Sequence, residues 1–271
     1  VKDYVNHANI RQTDSGATTG SNTVQGSLTK NYGGYGVGTR FTFIEPFSLK
    51  ASFEHSVRLP IARELLGNGT TVYANVALEP EQSNNANLGF FGTWRPAAGH
   101  TLYYEANGFL RNVDNFIQVQ VIEKEGMLQY KNVPAVHIKG AEGEVRYNWQ
   151  NKLQISGNLS YQDARDQQQY KTDGKPSATY NNRLPNRPWL FGGAEVNYIF
   201  HHVGLPESRL RLNFNYQWVH WYFLTWEAYG SYENKSRIPT QHICNASVSY
   251  SWKNDCYSLS LECSNLLDQT A

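Results

Sequence analysis

Arg209-Leu210-Arg211-Leu212-Asn213-Phe214-Asn215-Tyr216-Gln217-Trp218 alternates without a miss. Leu210, Leu212, Phe214, Tyr216 and Trp218 fall on one face. Arg209, Arg211, Asn213, Asn215 and Gln217 fall on the other. A period of two means an extended strand, because successive side chains point to opposite sides. One face is wholly apolar and aromatic, and the other carries charge and amide. Such a strand fits either a soluble sandwich, with the apolar face against a second sheet, or a membrane barrel, with that face against lipid and the polar face toward a wet lumen. The rest of the chain decides between them.

Working outward, the same pattern recurs. Tyr35 to Ile44 and Phe47 to Arg58 flank a tight Glu45-Pro46 connection. Ser83 to Arg95 turns through Pro96-Ala97-Ala98-Gly99 into a strand beginning at Thr101. A strand ending at Trp149 turns at Gln150-Asn151 into one carrying Leu153, Ile155, Gly157, Leu159 and Tyr161. Trp189 to Phe200 leads through Gly204 and Pro206 into the opening stretch. Beyond it come strands around Cys244 to Trp252 and Tyr257 to Cys263, joined at Lys253-Asn254-Asp255. Long polar stretches intervene at 59–81, 112–135, 163–187 and 224–238, the third turning at Asp173-Gly174-Lys175-Pro176. Phe116 to Ile122 and Met127 to Val133 are expected to continue their strand pair as a hairpin beyond the membrane. Residues 1–30 read as loop with one ragged strand, with turn signals at Asp14-Ser15-Gly16 and Thr19-Gly20-Ser21.

Connections therefore alternate short and long, ten strands carry one apolar and one polar face, and Phe43, Phe47, Trp94, Trp149, Trp252 and Tyr257 flank the short turns. Short turns on one side, long loops on the other and aromatic girdles are the pattern of an outer-membrane barrel. Strands of about ten residues or more exceed the usual five or six of soluble sheets. The expected fold is all-β: an antiparallel transmembrane β-barrel.

Composition agrees. Lys plus Arg is 24 and Asp plus Glu is 23, with 18 Tyr, 12 Phe, 7 Trp and a single Met. The even charge gives no electrostatic footprint for nucleic acid, and the aromatic bias favours strands. Mean hydropathy is −0.58, as expected when only alternate residues face lipid. Val1-Lys2-Asp3-Tyr4 has neither a basic nor an apolar region of a signal segment, so the expectation is that it was removed or that the piece is internal. Cys244, Cys256 and Cys263 have no metal spacing and read as small strand residues. His201-His202 sits in a short turn and lacks the further ligands a metal would need.

Two kinds of candidate site stand out. Trp218, His220, Trp221, Tyr222, Trp226, Tyr229 and Tyr232 gather at the end of the opening strand and in the next loop. Such residues form interface girdles, or else a platform for a sugar ring or a siderophore. The second kind lies in Ala51-Ser52-Phe53-Glu54-His55-Ser56-Val57-Arg58-Leu59-Pro60, Arg63-Glu64-Leu65-Leu66-Gly67 and Asn75-Val76-Ala77-Leu78-Glu79-Pro80-Glu81. These stretches resemble the R-x-P…E-L and N-x-x-L-x-P-E signatures of TonB-dependent outer-membrane receptors. Asn132-Val133-Pro134 with Gly140-Ala141-Glu142, Leu184-Pro185-Asn186-Arg187-Pro188-Trp189, and Ser264-Asn265-Leu266-Leu267-Asp268 are similar to later segments of that family, in the same order.

The resemblance implies a plugged barrel of about 22 strands, of which about ten are present here. It implies a bacterial outer-membrane location, uptake of a scarce extracellular ligand (iron siderophore, cobalamin, glycan or peptide), and energy from a TonB-ExbB-ExbD complex acting on a plug. It leaves open a surface lipoprotein as partner. No counterpart of plug, TonB box or final strand is found, so residues 1–271 are expected to be the C-terminal part of the barrel. Arg58, Pro60, Glu64, Asn75, Pro80 and Glu81 are read as shaping the base of an outer loop and pairing across the barrel wall. Residues 59 to 74 contain no His, so haem ligation is not supported, and no cofactor is implied. Two rivals remain: a ten-stranded hydrolase using His137, His220 or His242 with Asp114, Asp163 or Asp166, and a passive porin.

Overall fold

The computed structural model describes residues 4–12, 26–122, 126–171, 173–229 and 236–269. One antiparallel sheet dominates. Its strands are β1 (Tyr4–Gln12), β2 (Gly26–Ile44), β3 (Phe47–Arg58), β5 (Glu81–Trp94), β6 (His100–Ile122), β7 (Met127–Trp149), β8 (Leu153–Asp166), β9 (Leu190–His201), β10 (Arg209–Val219), β13 (Gln241–Trp252) and β14 (Tyr257–Cys263), each beside its sequence neighbour. Between β3 and β5 lie a short helix, α1 (Ala62–Leu66), and β4 (Val72–Tyr73), which pairs in parallel with β7. Two further two-residue strands, β11 (Tyr222–Phe223) and β12 (Arg237–Ile238), pair with each other in the loop after β10.

The path holds eleven strands rather than ten. The additional one is β1, paired from Tyr4↔Gly34 to Gln12↔Gly26, in the stretch read as loop with one ragged strand. The physical reason is that a ladder outside the apolar band needs only backbone pairing, so its sequence carries no hydrophobic period. The turn signals at 14–16 and 19–21, and Tyr232, lie outside the described residues. Among the described residues β1 and β14 have one neighbour each, so the sheet is not closed.

Alternation survives in space. On the apolar face Leu88 is 62% exposed, Leu110 59% and Leu261 74%. The chain exposes 18145 Å², against about 12,000 Å² for a soluble monomer of its mass. A sheet facing water would not leave such side chains bare; one facing lipid would. The opposite face carries hydrogen-bonded polar groups. Asn213 Nδ2 donates to Glu195 Oε1 at 2.8 Å and Asn197 Oδ1 at 2.6 Å, and Asn87 Nδ2 donates to Ser52 Oγ at 3.1 Å. Rings line the short-turn end: Phe43 and Phe47 lie 5.5 Å apart, and Trp252 stacks on Tyr257 at 5.6 Å. The Trp149–Lys152 turn closes with Lys152 N to Trp149 O at 2.8 Å, and Gln150 and Asn151 both take positive φ, as a type I′ turn requires.

At the long-loop end β6 and β7 stay paired from His100↔Trp149 up to Ile122↔Met127. The expected hairpin extension is therefore present. The buried core gathers at its foot: Val113, Phe116, Val133, Val136, Ile138, Ala164, Leu184 and Trp226.

Candidate functional site

The site is built at that long-loop end, where three elements meet. The first is the end of β3. Arg58 projects between two carboxylates: Nε and Nη2 donate to Glu81 at 2.8 and 2.9 Å, and Nη1 donates to both oxygens of Glu64 at 3.0 Å. Glu64 also accepts from Ile61 N at 2.9 Å, which caps α1. Glu81 accepts from Ile117 N at 2.7 Å, tying β5 to β6. Pro80 is buried beside it, and Pro60, half-buried, leads into α1. Asn75 Nδ2 donates to Tyr130 O at 2.8 Å. Asn132 completes the clasp: Oδ1 accepts from Glu79 N at 2.9 Å, while Nδ2 donates to Glu79 O at 2.9 Å and Asn115 O at 2.7 Å. Residues 59–80 are thus laid along the β6–β7 hairpin.

The second element is the 167–189 loop. Asp166 is buried, accepts from Thr179 Oγ1 at 2.6 Å, and anchors Gln168 N at 2.8 Å. Gln118 Nε2 donates to Pro185 O at 2.6 Å. That bond brings Arg187 over the Phe116 ring, 5.0 Å from its centre. Burial pushes the Arg187 pKa down, the neighbouring charge of Arg111 adds to this, and Glu81 opposes it. The guanidinium stays charged at any ordinary pH.

The third element carries the aromatic candidates, and they separate into two groups. Trp218 and His220 keep the outward direction of β10. His220 meets Trp189 edge-on at 4.7 Å, and Trp189 meets Tyr161 at 6.1 Å and Trp221 at 6.4 Å. Trp189 Nε1 donates to Trp221 O at 3.1 Å. Tyr222 is half-buried in the β11–β12 pair. Past it the chain turns inward, with Asn186 N donating to Phe223 O at 2.7 Å. Trp226 joins the core, and Trp226 and Tyr229 line a cleft of about 920 Å³. Strand parity explains the split. Trp218 and His220 obey the alternation; Trp226 and Tyr229 follow a loop that folds over the mouth.

That cleft is the element which reasoning from the sequence missed. Besides Trp226 and Tyr229 its walls include Val119, Val121, Lys131 and Lys171. Val119 and Val121 sit in the hairpin extension, and Lys171 lies in a polar loop. Only spatial folding joins them, so no sequence spacing announced the site. Of the residues of the hydrolase alternative, Asp166 lines the cleft, whereas His242 Nδ1 lies 2.7 Å from Tyr216 Oη and Asp163 binds Arg165 and Arg183 at 2.7 Å each.

A family model described as TonB dependent receptor-like, beta-barrel, matches residues 4–266. The chain belongs to this TonB-dependent receptor barrel family. Solved structures agree on the receptor fold. The barrel superposes on the copper transporter OprC with a TM-score of 0.71 at 17% identity, over 98% of this chain and 38% of that one. The ferric-catecholate import receptor Fiu from K12 E. coli gives 0.64 at 16%, over 98% and 37%. The siderophore receptor PirA from Acinetobacter baumannii gives 0.63 at 16%, over 88% and 37%. A search of curated proteins found no match. The receptor barrel here thus spans under two-fifths of the length of these solved chains. The Arg58, Glu64 and Glu81 cluster, met in the sequence as a family signature, ties a loop to the wall of this barrel through ion pairs.

Proposed function

We propose that this chain is the C-terminal part of the barrel of a bacterial outer-membrane receptor, and that the whole receptor imports a scarce small ligand with energy delivered by a TonB-ExbB-ExbD complex to a plug. The observation that carries the reading is the cleft of about 920 Å³ at the mouth, within the range of about 300–1,000 Å³ usual for small-ligand sites. It sits on loops held by a rigid wall, where recognition residues concentrate. Tyr229 offers an exposed ring face and a hydroxyl, Trp226 an apolar floor, and Lys131 and Lys171 positive charge at the rim. That combination suits a polar, ring-bearing ligand such as a siderophore or a sugar, and the named neighbours include receptors for siderophores. Trp218, His220 and Trp221 serve in this reading as an interface girdle around the mouth. Catalysis has no part in it.

Uptake of labelled ferric catecholate, cobalamin, oligosaccharide and peptide is to be measured in cells with and without the complete receptor. One class should enter only when the receptor is present and the proton gradient intact. The Tyr229→Ala receptor should bind that class about tenfold more weakly, the loss of roughly one good ring contact. Uptake that persists after the gradient is collapsed would overturn the reading in favour of a passive pore.

A further inference from the structure

The outward wall carries a groove that ligand import does not use. Cross-strand register places Leu88 beside Gly108, Gly108 beside Ala141, and Ala141 beside Tyr161. The two middle positions bear almost no side chain, while Leu88 and Tyr161 stand up on either side. The result is an open furrow of about 660 Å³ on the apolar face. Its outer end is closed by Lys139, which pairs in register with Leu110 on one strand and Asp163 on the other.

Asp163 is already engaged: Arg165 Nε and Arg183 Nε each reach it at 2.7 Å. Arg183 in turn lies over the Trp189 ring at 4.4 Å. Two guanidiniums therefore share one carboxylate, and Lys139, its register neighbour, is exposed, with no ion pair to it among the described residues. Height matters as well. Asp163 stands ten residues beyond Leu153, the start of β8. At about 3.3 Å per residue and a tilt near 45°, that is roughly 23 Å, the top of an apolar band about 25 Å tall. The cations thus lie at headgroup level, directly above an acyl-sized furrow.

We propose that the groove over Gly108 and Ala141 holds an acyl chain of a net-anionic phospholipid, whose negative head, uncancelled by a cationic group of its own, is gripped by Lys139 and Arg183. Guanidinium matches two phosphate oxygens at once, and ammonium supplies a point charge. The anionic head answers the excess of positive charge, and the chain covers side chains that water would leave bare. The inference rests on the outer-membrane reading above.

The test is native mass spectrometry of the complete receptor purified from the outer-membrane fraction, titrated with phosphatidylglycerol or phosphatidylcholine of matched chains. The expected result is about tenfold tighter retention of the anionic lipid. Lys139→Glu with Arg183→Ala should abolish the preference, and Lys139→Arg should keep it. Gly108→Leu probes the furrow itself. A Cβ there meets nothing closer than 3.9 Å, so the wall folds, but the longer side chain fills the groove and retention should fall. Equal retention of the two lipids by the wild type overturns the proposal. So does displacement by inorganic phosphate together with indifference to Gly108→Leu, which would mark a site for the free ion alone. Absence of the receptor from the outer-membrane fraction would overturn both readings; presence there without lipid preference overturns only this one.

Discussion

Glu81 serves three donors with two oxygens: Nε and Nη2 of Arg58, and the backbone N–H of Ile117. Its side chain is 5% exposed against 39% for Arg58. Removing the carboxylate therefore leaves Nε and Nη2 of a half-buried guanidinium, and the Ile117 amide, without acceptors, while Nη1 keeps Glu64. Glu81→Ala should destabilise the receptor by about 2 to 3 kcal/mol, below the full buried-pair figure because Arg58 keeps partial access to water. Glu81→Gln keeps an acceptor for Ile117 and should cost about 1 kcal/mol. Urea unfolding of both variants would check the order. Equal effects would mean that the neutral acceptor kept by Gln contributes nothing and that the loss of charge carries the whole cost. The sequence made these residues visible by type and order. It did not reveal the bond to Ile117, which lies 36 positions away, because a backbone amide has no signature.

At the scale of elements, β3, β5 and β10 were legible because half of each strand meets an apolar phase, and that phase imposes a period of two. β1 was legible only as a ragged strand within a loop, since pairing outside such a phase leaves little mark on composition. Aromatic content misled in a different way: Trp218 and Trp226 look alike in the sequence, yet one ends an outward row and the other enters the core. The β6–β7 hairpin acts as the post to which residues 59–80 are tied, and Asn132 is the knot, with three hydrogen bonds. Asn132→Ala should free this stretch without unfolding the wall. Losing about 2 kcal/mol of local hydrogen bonding would raise amide exchange across Asn75 to Glu79 roughly 30-fold. Unchanged exchange there would show that α1 and β4 hold the loop by themselves.

At the scale of the molecule, a sheet with one neighbour at each edge leaves backbone groups unpaired in lipid, which is costly. The piece expressed alone should therefore fail to insert as a monomer and should support no ligand-driven uptake in vesicles, whereas on the proposed function the complete receptor should do both. Gel filtration and a flux assay on each would decide; uptake by the piece alone would reverse the partial-barrel reading. The chain's order of strands was readable from its turns, but closure was not: among the described residues β1 and β14 each keep one neighbour.

The hairpin has one further consequence. β6 and β7 each run 23 residues. At about 3.3 Å per residue and 45° of tilt they rise roughly 54 Å, nearly 30 Å above a 25 Å apolar band. The cleft opens beside this tower. Ile122 and Leu128 at its tip also line the cleft, so the rim of the cleft is carried well above the apolar band rather than resting at its edge.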